Sequence, residues 1–141
     1  MPIRTAQAEW RGQLRDGRGT MHFDAYDGPY TFTSRFEEGE GTNPEELIGA
    51  AHAGCFSMEL AGELASAGYT ADFIRTVAEV HIDPSGGGFT ITEINLQTDA
   101  RAPGIDNATF LQIANQSKIN CPVSRALAAT SINLDARLLQ E

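Results

Sequence analysis

Leu47 to Met58 is twelve residues without a formal charge, counting His52 as neutral, and it lies directly behind the strongest helix start in the chain. Thr42-Asn43-Pro44-Glu45-Glu46 offers Asn43 as N-cap, Pro44 at the first helical position and two carboxylates at the positive end of the helix dipole. The pattern predicts a helix from Pro44 to about Ala67, stopped by Gly68. Leu47 to Met58 is apolar or small on nearly every side, and a helix of that kind is buried all round. Gly49 and Gly54 each cost roughly 1 kcal/mol of helix propensity against Ala, so close approach of other backbones is the reason for them. A 141-residue chain has too little material to enclose such a helix alone, so a second subunit is expected to cover part of it.

The remaining segments read mostly as strands. Ile3–Trp10 looks like a first strand, and Arg15-Asp16-Gly17-Arg18-Gly19 like a turn. Met21, Phe23 and Ala25 alternate with polar residues as a half-buried second strand. Asp27-Gly28-Pro29 reads as a hairpin turn and Tyr30–Phe36 as a third strand, giving an antiparallel N-terminal sheet. Beyond Gly68, strands are expected over Thr76–Asp83 and Phe89–Thr98, separated by a turn at Pro84-Ser85-Gly86-Gly87-Gly88. Pro103-Gly104-Ile105-Asp106 is a second break, Asn107–Lys118 a helix, and Cys121-Pro122-Val123-Ser124 the opening of a short one. Ile132, Leu134, Ala136 and Leu138 alternate in a last strand. The order β-β-β-α-β-β-α-α-β is α+β. No repeat or linker divides it, so one domain over residues 1–141 is expected.

Hydrophobic residues make up 41% and charged residues 21%, a globular composition. A net charge of −9 repels phosphate backbones and anionic lipid, so neither nucleic acid nor membrane is an expected partner. The N-terminus shows no apolar leader stretch, and twelve uncharged residues are too few to span a bilayer as a helix. The reading is a soluble, cytoplasmic protein.

Two cysteines, Cys55 and Cys121, are 66 positions apart. A permanent structural disulfide is not expected in a reducing compartment. Two inert, buried thiols would be the plain interpretation. Cys55 in the middle of the apolar helix fits that, because burial raises a thiol pKa. To act as a nucleophile it needs a cation. Glu45, ten residues earlier, lies about 80° from the Cys55 direction at 100° per residue. A carboxylate opposes a thiolate but can fix an arginine that favours one. Arg35, read as the end of the third strand, is the nearest candidate, with Arg15 and Arg18 as alternatives. His52, three residues before Cys55, shares a helix face with it and is read first as a hydrogen-bonded core residue. Cys121 opens a helix, where the dipole and free N–H groups favour a thiolate, as a resolving thiol requires.

Gly41 to Met58, with its Asn-Pro-Glu and His-Ala-Gly-Cys segments, closely resembles the central motif of the OsmC/Ohr family, the osmotically inducible and organic hydroperoxide resistance proteins. Cys121-Pro122-Val123-Ser124 resembles its second cysteine motif, and the likeness extends over essentially the whole chain. His52 and Arg35-Phe36-Glu37 are more similar to the OsmC branch. The resemblance implies an α+β fold with antiparallel sheets packed around a long central helix, in an intertwined homodimer. It implies a cytoplasmic thiol peroxidase of the stress response, reducing organic hydroperoxides and hydrogen peroxide, with no metal and no cofactor. Cys55 would form a sulfenic acid, Cys121 a disulfide with it, and Glu45 and Arg35 would assist. A dithiol donor, lipoyl-type by resemblance, would regenerate the thiols. The rival readings are a zinc site on His52, Cys55 and Cys121, and a non-enzymatic redox sensor.

Overall fold

The computed structural model describes residues 1–140. The chain forms two compact units, Met1–Leu47 and the part from Ile48 onward, with one long helix running through the division.

In the first unit, β1 (Gln7–Arg11), β2 (Arg18–Phe23) and β3 (Tyr26–Tyr30) form an antiparallel sheet in that order. Gly19 sits in register between Trp10 and Tyr30, and a Cβ there would come within 2.6 Å and 2.7 Å of their rings. Two expectations fail here. Asp27-Gly28-Pro29 is not a turn but lies inside β3; the chain reverses at Asp24, with φ +46, and Ala25. Pro29 is accommodated because β3 is an edge strand. Tyr30–Phe36 is not a strand either: Phe32–Phe36 is a short helix, α1. Thr31 and Ser34 form a capping box, the side chain of each accepting from the backbone N–H of the other. Phe32 and Phe36 meet one turn apart, with ring centroids at 5.1 Å. These local bonds outweigh the alternation that suggests a strand. The first strand starts later than expected, at Gln7, and Arg18-Gly19 belongs to β2.

Helix α2 spans Pro44–Ser66. The Asn43 side chain accepts from the Glu46 N–H at 2.8 Å, as an N-cap should. At the other end Gly68 takes φ +93, and Tyr69 and Gly68 N–H groups bond Leu64 and Ala65 carbonyls, a Schellman stop.

In the second unit, β4 (Phe73–Ser85) and β5 (Gly88–Arg101) form a long antiparallel hairpin. Pro84 and Ser85 belong to it, and Gly86 and Gly87, both at positive φ, make its turn. Helices α3 (Asn107–Asn120) and α4 (Pro122–Ala126) then carry the chain across to β6 (Ser131–Leu138). β6 pairs with β5 in parallel, so this sheet is mixed, and the expected antiparallel pairing holds in the first sheet and at β4–β5 but not at β6. A parallel neighbour requires such a crossover. The fold is α+β.

One face of this sheet, with Ile94, Leu96 and Ala100, packs on Phe56, Leu60 and Leu64 of α2 and on Phe110 and Ala114 of α3. Burying each of the large side chains contributes about 1.5–3 kcal/mol. The buried α2 positions 52, 56, 60 and 64 repeat every four residues. The opposite face, with Ala50, Ala51, Gly54, Met58, Ala61 and Gly62, is exposed, and Met58 is 80% exposed. The chain therefore covers one side of α2 and leaves an uncharged side open. Among the described residues no helix is long and apolar enough to cross a membrane.

Candidate active site

Cys55 occupies the fourth turn of α2, and Cys121 the corner where α3 ends and α4 begins. Pro122 ends α3, because the residue before a proline avoids helical geometry, and Cys121 takes φ −55, ψ 123. Its N–H bonds the Ser117 carbonyl and its own carbonyl accepts from Arg125 N–H. The corner turns the Cys121 side chain inward: its Sγ, fully buried, donates to Cys55 Sγ at 2.9 Å. Cys55 is half-buried.

Burial pushes the Cys55 thiol up, the hydrogen bond and charge of Cys121 push it further, and the carboxylate of Glu59 adds to this. The Val123 N–H donates to Cys55 sulfur and works the other way. Within its own surroundings Cys55 thus lacks what makes a reactive thiolate, as the sequence implies.

Within the first unit, taken by itself, a guanidinium is held in place. Ser34 Oγ donates to the Thr42 carbonyl at 2.7 Å, and Asn43 Nδ2 to the Ser34 carbonyl at 3.1 Å, tying α1 to the start of α2. Arg35, on α1 rather than at a strand end, then reaches Glu45 through two parallel bonds: Nε to Oε1 at 3.0 Å and Nη2 to Oε2 at 2.9 Å. The Glu45 side chain is 9% exposed and that of Arg35 34%. Arg35 also lies 5.0 Å from the Phe36 ring centroid. Of the arginines open at the sequence level, Arg15 stacks over Phe32 at 4.4 Å and Arg18 begins β2. Arg35 is the one paired with Glu45. Two of its five N–H donors go to that carboxylate, which leaves the rest of the fork for an anion.

His52 is fully buried, with Nε2 at 2.7 Å from Ser124 Oγ and Nδ1 without a partner. Burial pushes its pKa down, which keeps the imidazole neutral. Among the described residues no three His, Cys, Asp or Glu side chains gather as a metal site. Sequence reasoning missed Ser124 as the partner of His52. It also missed Glu63, two turns beyond Cys55 on α2, which accepts from Ser117 Oγ and from Asn120 Nδ2 at 2.7 Å. The available signal was the position of Asn120 and Ser124 on either side of Cys121.

Residues 37–137 match the family model described as OsmC-like protein. The chain is 47% identical over 135 residues to the peroxiredoxin OsmC of Escherichia coli K12, covering 94% of each. It is 32% identical over 106 residues to the organic hydroperoxide resistance protein of Xanthomonas axonopodis pv. citri, covering 71% of this chain and 67% of that one. Among solved structures, an OsmC-like protein from Mycoplasma pneumoniae matches with a TM-score of 0.78 at 16% identity, over 99% of both chains. The organic hydroperoxide resistance protein OhrB of Bacillus subtilis matches at 0.69 and 24%, over 94% of this chain and 98% of that one. At those identities the two structures speak for the fold alone.

Proposed function

The chain belongs to the OsmC/Ohr family, on its OsmC branch, and from that premise we propose a two-cysteine peroxidase cycle for it. The observation that carries this reading is the 2.9 Å approach of two free thiols from residues 66 apart. The substrate is an organic hydroperoxide, in keeping with the Xanthomonas organic hydroperoxide resistance protein. Cys55 thiolate attacks one peroxide oxygen; the O–O bond breaks, the alkoxide takes up a proton and leaves as alcohol, and Cys55 becomes a sulfenic acid. Cys121 sulfur then attacks Cys55 sulfur. The S–O bond breaks, water leaves, and a disulfide remains. A dithiol donor, lipoyl-type in our reading, reduces it by exchange.

We assign to Arg35 the stabilisation of the Cys55 thiolate and of the developing alkoxide, and to Glu45 the holding of that guanidinium. Two facts support this: Cys55 is surrounded by groups that raise its pKa, and Arg35 is fixed by a bidentate, buried carboxylate with N–H donors to spare. The open face of α2 supports a homodimer built on that helix. The cytoplasm, where thiols are kept reduced, is the fitting compartment.

Steady-state turnover of cumene hydroperoxide and hydrogen peroxide with dihydrolipoyl and thioredoxin donors is the test. Alkyl hydroperoxide turnover that vanishes in Cys55→Ser is expected. A Cys55→Ser protein with undiminished turnover would sink the reading.

A further inference from the structure

Helix α2 grips the α3–α4 corner on both sides of Cys121. Upstream, Glu63 accepts from Ser117 Oγ and from Asn120 Nδ2. Downstream, His52 meets Ser124 Oγ at 2.7 Å. Positions 52 and 63 are eleven residues apart, so they fall within about 20° of each other around the helix. Cys55 lies between them on the same helix. His52 and Ser124 are both buried, so water is a poor substitute for that tether, while the Glu63 bonds to Ser117 and Asn120 are part-buried. Both contacts are polar and directional, whereas apolar packing would let the corner slide.

We infer that His52 and Glu63 are positioning residues for the second step of the cycle: they hold the corner so that Cys121 is already seated on Cys55 when the sulfenic acid forms. This rests on the peroxidase reading above. From 2.9 Å, the sulfurs need to close by only about 0.9 Å to reach disulfide length. Formation of the S–S bond expels the sulfenic hydroxyl as water with the Cys121 proton, and neither helix has to unwind. The competing reaction is attack of a second peroxide on the sulfenic acid, which gives sulfinic acid and a dead enzyme. A seated resolving thiol wins that competition because the reaction is intramolecular and oriented; a misplacement of about 1 Å costs on the order of a hundred-fold.

The test uses Ser124→Ala and Asn120→Ala, singly and together. These loosen the corner from the Cys121 side and leave α2 with its full sequence. Single-turnover kinetics with an alkyl hydroperoxide separates loss of the Cys55 thiol from appearance of the disulfide, with sulfinic acid read by mass spectrometry. The expected result is disulfide formation slowed about ten-fold to a hundred-fold relative to the first step, and sulfinic acid at peroxide doses that the parent protein survives. Ser124→Thr, which keeps the hydroxyl, restores the rate. Ile94→Val is the control for lost stability alone, and its two steps keep their ratio. The inference is overturned if the double variant forms the disulfide at the parent rate, or if Ile94→Val slows disulfide formation as much. A parent protein whose Cys55 does not react with peroxide would overturn the peroxidase reading instead, so the two failures are distinct.

Discussion

Cys121 Sγ donates to Cys55 Sγ at 2.9 Å, and Cys121 is the member with no exposure to solvent. The asymmetry is the ground for the order of events proposed above. A peroxide must reach the first sulfur attacked, and Cys55 is the half-buried one. Cys121 needs only to reach Cys55. In Cys121→Ser, peroxide should therefore still convert Cys55 to a sulfenic acid, trapped by a dimedone adduct of one per chain, but no intramolecular disulfide should form. In Cys55→Ser no adduct should appear, and turnover should fall to the uncatalysed rate. A dimedone adduct on Cys121 in that variant would reverse the assignment.

Arg35→Ala should raise the pH at which Cys55 reacts. Burial, Cys121 and Glu59 all push that thiol up, and an arginine close to a charge partner moves a pKa by about 1–3 units in favour of the charged form. Rates of iodoacetamide alkylation against pH should thus shift to higher pH in the variant, with about a ten-fold loss at neutral pH per unit shifted. Folding should suffer too, because Glu45 is left buried and unpaired. Allowing for solvent at Arg35, the loss is about 1–3 kcal/mol. Arg35→Ala with Glu45→Gln removes the orphan charge, so it should recover stability and leave the pH profile displaced. Coincident profiles for parent and variant would disprove the role given to Arg35.

Much of this was legible in the chain because the informative signals are local. Asn43, Pro44 and Gly68 bound α2 by cap chemistry that no distant contact overrides. The long strands β4 and β5, α3 and the corner at Cys121-Pro122 follow from periodicity and proline in the same way. The failures have a common cause. In Tyr30–Phe36 the alternating aromatic and polar side chains looked like a strand, but Thr31 and Ser34 cap a helical turn with hydrogen bonds that a pattern of hydropathy does not record. In Asp27-Gly28-Pro29 three turn-forming residues sit in an edge strand, where the missing N–H of Pro29 costs little and Gly28 leaves room for Tyr26 and Thr42. The parallel placement of β6 depends on the α3–α4 crossover, which its own alternation cannot reveal. The Arg35–Glu45 pairing could be anticipated by residue type and position, though not the helix that carries Arg35. The His52–Ser124 and Glu63–Asn120 pairs join residues 72 and 57 apart, and pairs so distant leave no trace in one sequence.

His52 makes stability depend on pH in a definite direction. Its pKa is lowered in the folded chain by burial, so the unfolded chain binds a proton more readily. Stability from keeping it neutral is full above the ordinary histidine value of about 6.5 and is lost as pH falls below it. Thermal melts of the reduced protein between about pH 7.5 and 5.5 should show Tm falling for the parent. His52→Gln, which does not titrate, should fall less over the same interval. Parallel curves for the two would show that His52 is already protonated at neutral pH, or that it is not the group responsible.

Gly54 offers the sharpest test of association. A Cβ built there meets nothing within 4 Å, and Met58, one turn on, is 80% exposed. A single chain has no use for glycine at that position: an ordinary side chain would strengthen the helix by up to about 1 kcal/mol. Gly54→Gln should therefore fold at least as well as the parent and keep its helical circular dichroism. If the open face of α2 is a dimer interface, the added side chain holds the two helices apart. Light scattering should then give the mass of one chain for Gly54→Gln and of two for the parent. Met58→Glu, which places a charge on the same face, should give the same result by a different physical route. A parent protein with the mass of one chain, or a Gly54→Gln protein that stays dimeric together with Met58→Glu, would remove α2 from the interface.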